Sequence, residues 1–328
     1  MRCLLCASLE LGMLYENVRD RFGVAPGAYR FLRCRACGSA TLESPPSTEA
    51  LAALYPEGYT FSGADGERSS LRSVLAALEW HLFYAPTYRR RVAIFRRLTG
   101  FRHGRVLEIG CGSGMLLVHL RNAGFEVEGI ELSASDAARG RARYGLPIQE
   151  GRVESVPLES GRYDAVILVN VLEHILDPTA LVQRVFDVLR PGGCLVAGVP
   201  VVDSACARWL GARWGAVTEA PRHVSIPSFD GMVSLLRRAG FADVTSAPAP
   251  LIDRAGELVL SLLPSAATTV SYRASAGVVA LLRRAAAAAL MGPAVVLAAV
   301  EQLAWRRPPR TEAMLFCGRK PQGASRVS

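Results

Sequence analysis

The sequence predicts an α/β protein, an open and mostly parallel sheet with helices on both faces. Three observations carry this. From Gly104 onward, short apolar runs alternate with stretches of helical period, as strand–helix–strand units require. The first run leads into Val106-Leu107-Glu108-Ile109-Gly110-Cys111-Gly112-Ser113-Gly114-Met115, which reads as a buried strand, a glycine turn and a helix start. Half of the 328 residues are hydrophobic, so a sizeable core is available and wholesale disorder is excluded.

Taken in order, the chain begins with two C-x-x-C pairs, Cys3/Cys6 and Cys34/Cys37. Two such pairs form the ligand set of a tetrahedral zinc site, and with no His or Glu beside them the site reads as closed and structural. The competing reading is chance pairing of buried thiols, because 27 intervening residues exceed the usual ~15–20. Residues 1–45 are therefore predicted to be a zinc ribbon. Cys111, Cys194, Cys206 and Cys317 are scattered and read as small buried residues in a reducing compartment.

Residues 46–103 read as a helical linker or cap. It opens with Pro45-Pro46 and a helix start at Ser47-Thr48-Glu49, and continues through a flexible link over 58–68. A helical region then spans Ser70–Thr99, broken at Ala85-Pro86, with Leu71, Leu75, Leu78 and Leu82 as its apolar stripe. Arg89-Arg90-Arg91 reads as a solvated face.

The sheet follows over 104–249 and 313–320. Its strands are expected at Arg105–Ile109, Glu126–Glu131, Pro147–Gln149, Tyr163–Val169, Cys194–Val199, Asp243–Ala247 and Ala313–Arg319. Helices are expected at Met115–Ala123, Ser133–Tyr144, Thr179–Leu189 and Phe229–Ala239, with Ser133 as an N-cap and Pro191-Gly192-Gly193 as a turn. An insertion over 250–312 contains two uncharged apolar stretches, Leu258–Tyr272 and Ala285–Val300, both short of the ~20 residues of a comfortable membrane span. They suit either an interfacial hairpin, with Arg283-Arg284 and Arg306-Arg307 at anionic headgroups, or a lid or dimer surface buried in protein. Residues 321–328 read as a flexible tail.

Charge narrows the partners. The net charge is +9, yet residues 101–250 carry 15 basic and 16 acidic side chains. A nucleic-acid enzyme would surround its site with basic groups, so this near-neutral segment argues against that class. The N-terminus lacks an apolar run of signal-peptide length, which predicts a cytoplasmic chain.

The turn has the spacing G-x-G-x-G, with Glu108 two residues before the first glycine and Glu131 closing the next strand, where a carboxylate suits ribose hydroxyls. Further on stand Arg162-Tyr163-Asp164-Ala165-Val166-Ile167-Leu168-Val169-Asn170-Val171-Leu172-Glu173-His174-Ile175-Leu176-Asp177-Pro178, Leu189-Arg190-Pro191-Gly192-Gly193 and Arg222-His223. In this order and spacing the motifs resemble class I S-adenosylmethionine-dependent methyltransferases. The specific family resembled is the bacterial group with an N-terminal zinc ribbon and a ubiquinone-biosynthesis-type methyltransferase domain.

The resemblance implies a Rossmann-like seven-stranded sheet with an antiparallel last strand. It implies S-adenosylmethionine as cofactor, held by Glu108, Gly110, Cys111, Gly112, Gly114, Glu131, Leu132, Val153 and Asn170. Relatives carry an acid for the adenine amino group where Arg152 stands, so a backbone carbonyl or a shifted register must serve. His174 and His223 are the candidate bases, against purely structural roles in capping or loop positioning. Trp209 and Trp214 suit either an acceptor pocket or ordinary packing. The implied activity is methyl transfer, to oxygen by preference, on a small-molecule, sugar or lipid-linked acceptor. The rivals are a zinc-ribbon ribosomal RNA methyltransferase and a non-catalytic cofactor-binding scaffold. A homodimer and peripheral membrane contact through 250–312 are the further expected associations.

Overall fold

A computed structural model describes residues 1–55, 85–263, 278–304 and 310–323, with side chains of 278–285 left aside. The expected link at 58–68, the helical stripe at 71–82, the later half of Leu258–Tyr272, Arg306-Arg307 and most of the tail lie outside the described residues.

The elements in chain order begin with β1 (Leu11–Val18), β2 (Tyr29–Cys34), β3 (Ala40–Leu42), α1 (Thr48–Ala52) and α2 (Ala85–Thr99). The α/β core adds β4 (Gly104–Ile109), α3 (Met115–Asn122), β5 (Phe125–Glu131), α4 (Ala134–Tyr144), β6 (Ile148–Glu150), β7 (Tyr163–Val169), α5 (Pro178–Val188) and β8 (Leu189–Pro200). After it come α6 (Ala205–Leu210), α7 (Gly215–Thr218), β9 (Ser225–Ile226), α8 (Phe229–Arg238), β10 (Ala242–Pro248), α9 (Leu251–Leu262), α10 (Val278–Ala304) and β11 (Ala313–Arg319).

The large sheet has the order β10-β11-β8-β7-β4-β5-β6. β4, β5, β6, β7 and β8 pair in parallel, whereas β11 runs antiparallel to both β8 and β10. This is the seven-stranded sheet with an antiparallel last strand. Its central strands are apolar on both faces because helices cover both; Val106, Leu107, Ala165, Val166, Leu168 and Leu195 are all buried. The order reverses between β4 and β7, and ligands bind such sheets in the crevice outside the strand ends at that switch point. The Pro191-Gly192-Gly193 turn is drawn into β8, which starts at Leu189 and absorbs the glycines as a register shift against β7.

The N-terminal segment forms a second sheet, β1-β2-β3-β9, whose last strand comes from the α/β part of the sequence. Ala40 and Thr41 pair with Ile226 and Ser225. One apolar cluster spans the seam, with Val18, Phe31, Ala40 and Leu42 against Trp214, Ala216, Val217 and Ile226. Trp214 is thus core packing, while Trp209 stands 65% exposed. At the same seam the Arg222 guanidinium and Asp20 carboxylate form an ion pair with both side chains fully buried. Asp20 also accepts from the amides of Phe22, Val24 and Ala25, so its charge is well met.

Candidate active site

The glycine turn follows the carboxyl end of β4. Gly110, Gly112 and Gly114 all have left-handed backbone, at φ 72°, 55° and 82°. At Gly110 a Cβ would stand 2.5 Å from Val171 Cγ2, and at Gly114 2.3 Å from Leu146 Cδ1. At Gly112 a Cβ would meet nothing within 4 Å, so this middle glycine faces open space. Gly110 and Gly114 are small so that the protein can close on itself, and Gly112 leaves its backbone bare toward open space. The Cys111 side chain points away, into the packing around Gly129 and Leu117, leaving only its backbone for the crevice.

Glu131 shapes the same turn from β5. One carboxylate oxygen accepts from Gly112 N at 2.7 Å and the other from Ser133 N at 2.8 Å. Each oxygen keeps a further lone pair for ribose hydroxyls. Leu132, next along, is an exposed apolar side chain, a suitable platform for a flat base. Val153 is buried in the core cluster. The Arg152 carbonyl already accepts from the amides of Ser155 and Val156, and its side chain lies 3.9 Å from Glu154.

Glu108 is buried, and its Oε2 has no hydrogen-bond partner among the described residues. Burial pushes its carboxyl up to about 8, against the pull of Arg91. Arg91 departs from the expected solvated face. Its guanidinium reaches Asp253 Oδ2 with Nε at 3.1 Å and Nη2 at 2.9 Å, while Arg89 and Arg90 are exposed. A buried carboxyl lacking a partner, a nearby guanidinium, a clamped glycine turn and an exposed leucine fit the ammonium, carboxylate, ribose and adenine of S-adenosylmethionine.

A second cluster sits beyond the carboxyl end of β7. Asn170 has left-handed backbone at φ 54°, Val171 packs on Gly110, and a 3₁₀ turn over Leu172–His174 follows. The His174 and His223 rings meet edge-on with centroids 4.6 Å apart. His174 Nδ1 lies 3.2 Å from the Arg222 carbonyl and 2.7 Å from the Tyr55 hydroxyl. A carbonyl can only accept, so the Arg222 contact calls for an Nδ1–H tautomer, with the Tyr55 hydroxyl accepting from the same shared N–H, and this leaves the lone pair on Nε2. His223 Nδ1 lies 2.6 Å from the Ala216 carbonyl, which assigns the same tautomer. Its Nε2 stands 3.4 Å from Glu219, a carboxylate also paired with Arg21.

Burial lowers both imidazoles, His174 to about 3, so both are neutral across the physiological range. Although burial raises Glu219, Arg21, the histidines and Arg222 hold it well below the usual carboxylate range. Glu173 Oε2 is buried without a hydrogen-bond partner among the described residues, and burial pushes this carboxyl up to about 8. Sequence reasoning brought forward the two histidines but missed Tyr55, Glu219 and Arg91. Only the fold brings these beside the site, and nothing local in the sequence marks them.

Residues 81–246, half of the chain, match the family described as methyltransferase domain. The chain belongs to that family. This methyltransferase domain is 31% identical over 162 residues to the O-methyltransferase cnsE of Penicillium expansum, covering 45% of this chain and 56% of that protein. It is 32% identical over 152 residues to a malonyl-[acyl-carrier protein] O-methyltransferase of Enterobacter lignolyticus, covering 44% and 59%. It is 33% identical over 105 residues to a ubiquinone biosynthesis O-methyltransferase of Psychrobacter cryohalolentis, covering 30% and 41%. The chain thus spans about half the length of the curated relatives it matches. A solved Haemonchus contortus phosphoethanolamine N-methyltransferase 2 in complex with S-adenosyl-L-methionine is 18% identical at a TM-score of 0.48, covering 71% of this chain and 52% of that one.

At the N-terminus, Cys3, Cys6, Cys34 and Cys37 converge with all four sulfurs within 4.8 Å of one another. The Cys3–Cys37 and Cys6–Cys34 sulfurs are 3.7 and 3.5 Å apart. A tetrahedral ion with Zn–S bonds of ~2.3 Å needs sulfurs ~3.8 Å apart, so the donor set fits zinc. Each knuckle turns through left-handed backbone just after its second cysteine, at Ala7 (φ 60°) and Gly38 (φ 75°).

The buried acids make a pH prediction. Glu108 and Glu173 bind protons more tightly folded than unfolded, so their protonated forms stabilise the fold at low pH. That contribution is lost as pH rises from the ordinary carboxylate range through about 8. The cofactor-free protein should therefore melt lower at pH 9 than at pH 7 by differential scanning calorimetry, and Glu108→Gln should flatten part of the slope. An unchanged slope in that variant would show that Glu108 is not buried as described.

Proposed function

We propose that this protein is an S-adenosylmethionine-dependent methyltransferase acting on a hydroxyl of a small or lipid-linked acceptor, with a structural zinc held by Cys3, Cys6, Cys34 and Cys37. The supporting observation is the pair of neutral histidines in ring contact, of which His174 lies three residues past Val171, the side chain that closes on Gly110 of the glycine turn. S-adenosylmethionine, when bound, supplies a methyl group already activated by the adjoining sulfonium.

Residues of this chain do the rest. Glu108 holds the ammonium group and Arg91 the carboxylate; Gly112 admits the cofactor backbone; Glu131 takes the ribose hydroxyls and Leu132 packs on adenine. The Asn170 backbone borders the sulfonium end. His174 or His223 would take the acceptor's proton on Nε2 as the C–O bond forms and the methyl–sulfur bond breaks, the His223 Nε2 standing 3.4 Å from Glu219. Glu219 beside His223 stabilises the imidazolium that results. Named O-methyltransferase relatives favour oxygen as the methylated atom. The rival RNA reading is disfavoured by the near-neutral charge of residues 101–250.

The test has two stages. Thermal stabilisation by S-adenosylmethionine establishes binding, and its absence would overturn the proposal. Labelled methyl transfer into small-molecule, lipid and RNA fractions of a lysate then identifies the acceptor class. With that acceptor, His223→Asn should lower kcat by about 10²–10⁴ with little change in cofactor affinity. Unchanged kcat in both His174→Asn and His223→Asn would leave the histidines structural.

A further inference from the structure

Helices α9 and α10 form a hairpin between β10 and β11, and its two faces differ sharply. Inward, Ala255, Leu258 and Val259 of α9 pack against Ala294 of α10. The buried Arg254 guanidinium donates to the Ala298 carbonyl at 2.9 Å and Gln302 at 2.8 Å, and lies 3.6 Å from Glu301. Outward, Ala286–Ala304 is strongly apolar and mostly unburied. Val296, Leu297, Val300 and Leu303 form a stripe there, 46–61% exposed, at the i, i+1, i+4, i+7 spacing of one helical face.

By length and composition this helix could cross a membrane, but its attachments forbid that. Spanning would pull Glu301 from Arg254, and the chain must return at once so that Ala313 can pair with Pro200. The helix lies along the body with its apolar stripe outward.

The surroundings specify what covers it. Helix α6 lies against this hairpin, with the Cys206 amide donating to Glu301 at 3.0 Å and Leu210 joining the cluster around Ala294. On α6, Trp209 is 65% exposed between the exposed Arg208 and Arg213. From residue 251 onward the chain carries 10 basic and 4 acidic side chains. All four acids face inward or are paired. Asp253 binds Arg91, Glu257 binds Arg21, and Glu301 and Glu312 are buried. Arginine pairs flank the apolar helix in sequence at 283–284 and 306–307.

We propose that this face is a docking surface for an anionic lipid bilayer, entered by the α10 stripe and Trp209 and attracted by the net positive charge of residues 251–328. An apolar stripe, an exposed tryptophan and the excess of basic over acidic residues in this part of the sequence suit the headgroup boundary, whereas a second copy would bring like charge against like. Because α6 follows the carboxyl end of β8, docking sets the rim of the methyltransferase crevice at the membrane, within reach of a lipid-linked acceptor. The docking itself does not depend on the methyl-transfer reading.

Flotation of the full chain with phosphatidylglycerol/phosphatidylcholine vesicles tests this. The protein should float with them, far less with phosphatidylcholine alone, and less as salt rises. The double variant Val300→Gln/Leu303→Gln should bind roughly tenfold or more weakly while keeping wild-type stabilisation by S-adenosylmethionine as its folding control. Failure of the wild type to float, equal flotation of the variant, or a solution dimer that the variant dissociates would each overturn the proposal.

Discussion

Replacing Cys34 with Ser is expected to remove about one zinc per chain and to be the most damaging single change in the protein. Structural zinc contributes on the order of 10–16 kcal/mol of apparent binding free energy in small zinc modules, and three thiolates with one hydroxyl lose most of it. The damage should travel. β3 pairs with β9, and the β1–β3 cluster packs on Trp214, Ala216 and Val217, whose segment carries the Ala216 carbonyl that orients His223. Methyl transfer should therefore fall, while binding of S-adenosylmethionine at the distant glycine turn survives in whatever fraction stays folded. Zinc content by inductively coupled plasma mass spectrometry and cofactor affinity by calorimetry check both halves. Full zinc occupancy in the variant would refute the four-thiol site.

Arg222→Met is expected to cost about 3–5 kcal/mol, because it strips the counter-charge from a carboxylate with no access to water. Burial works against the Asp20 charge, but the Arg222 guanidinium and two backbone amides outweigh it and hold the carboxyl below its usual range. The sign follows. A depressed carboxyl contributes stability above its unfolded pKa, and that contribution disappears only as pH falls through the lower folded value. Wild type should thus keep this contribution across the neutral range and into mild acid, whereas Arg222→Met lacks it throughout. Urea denaturation at pH 7 measures the loss. The double variant Asp20→Asn/Arg222→Met should recover part of it, since the neutral amide leaves no buried charge behind and its oxygen can still accept from the loop amides.

Much of the fold was legible because its signals are local. β7 and β11 occupy the segments expected from apolar runs alone, and Ser133 caps α4 by accepting from Asp136 N. The expected end of the Thr179–Leu189 helix moved by one residue because Leu189 already pairs with Tyr163. The glycine turn was legible too. G-x-G-x-G implies bare backbone, and Gly112 supplies it. What stayed hidden was partnership. Three adjacent arginines read alike, yet one turn of helix sends Arg91 to Asp253 while Arg89 and Arg90 stay in solvent. Tyr55 and Glu219 lie 119 and 45 positions from His174, with no local pattern linking them to it.

The hairpin shows where the boundary falls. Sequence by itself determined that residues 250–312 hold apolar helical segments and that the chain carries a glycine turn, two candidate histidines and two C-x-x-C pairs. Periodicity, backbone conformation and donor chemistry are properties of short stretches, so they can be read before folding. Only the tertiary structure decided which face of α10 is spent on Arg254 and Ala294 and which is left outward. It alone also decided that His174 and His223 share one buried site with Glu219. Burial and pairing depend on what distant segments bring to the same place, and that information exists only once the chain has closed on itself.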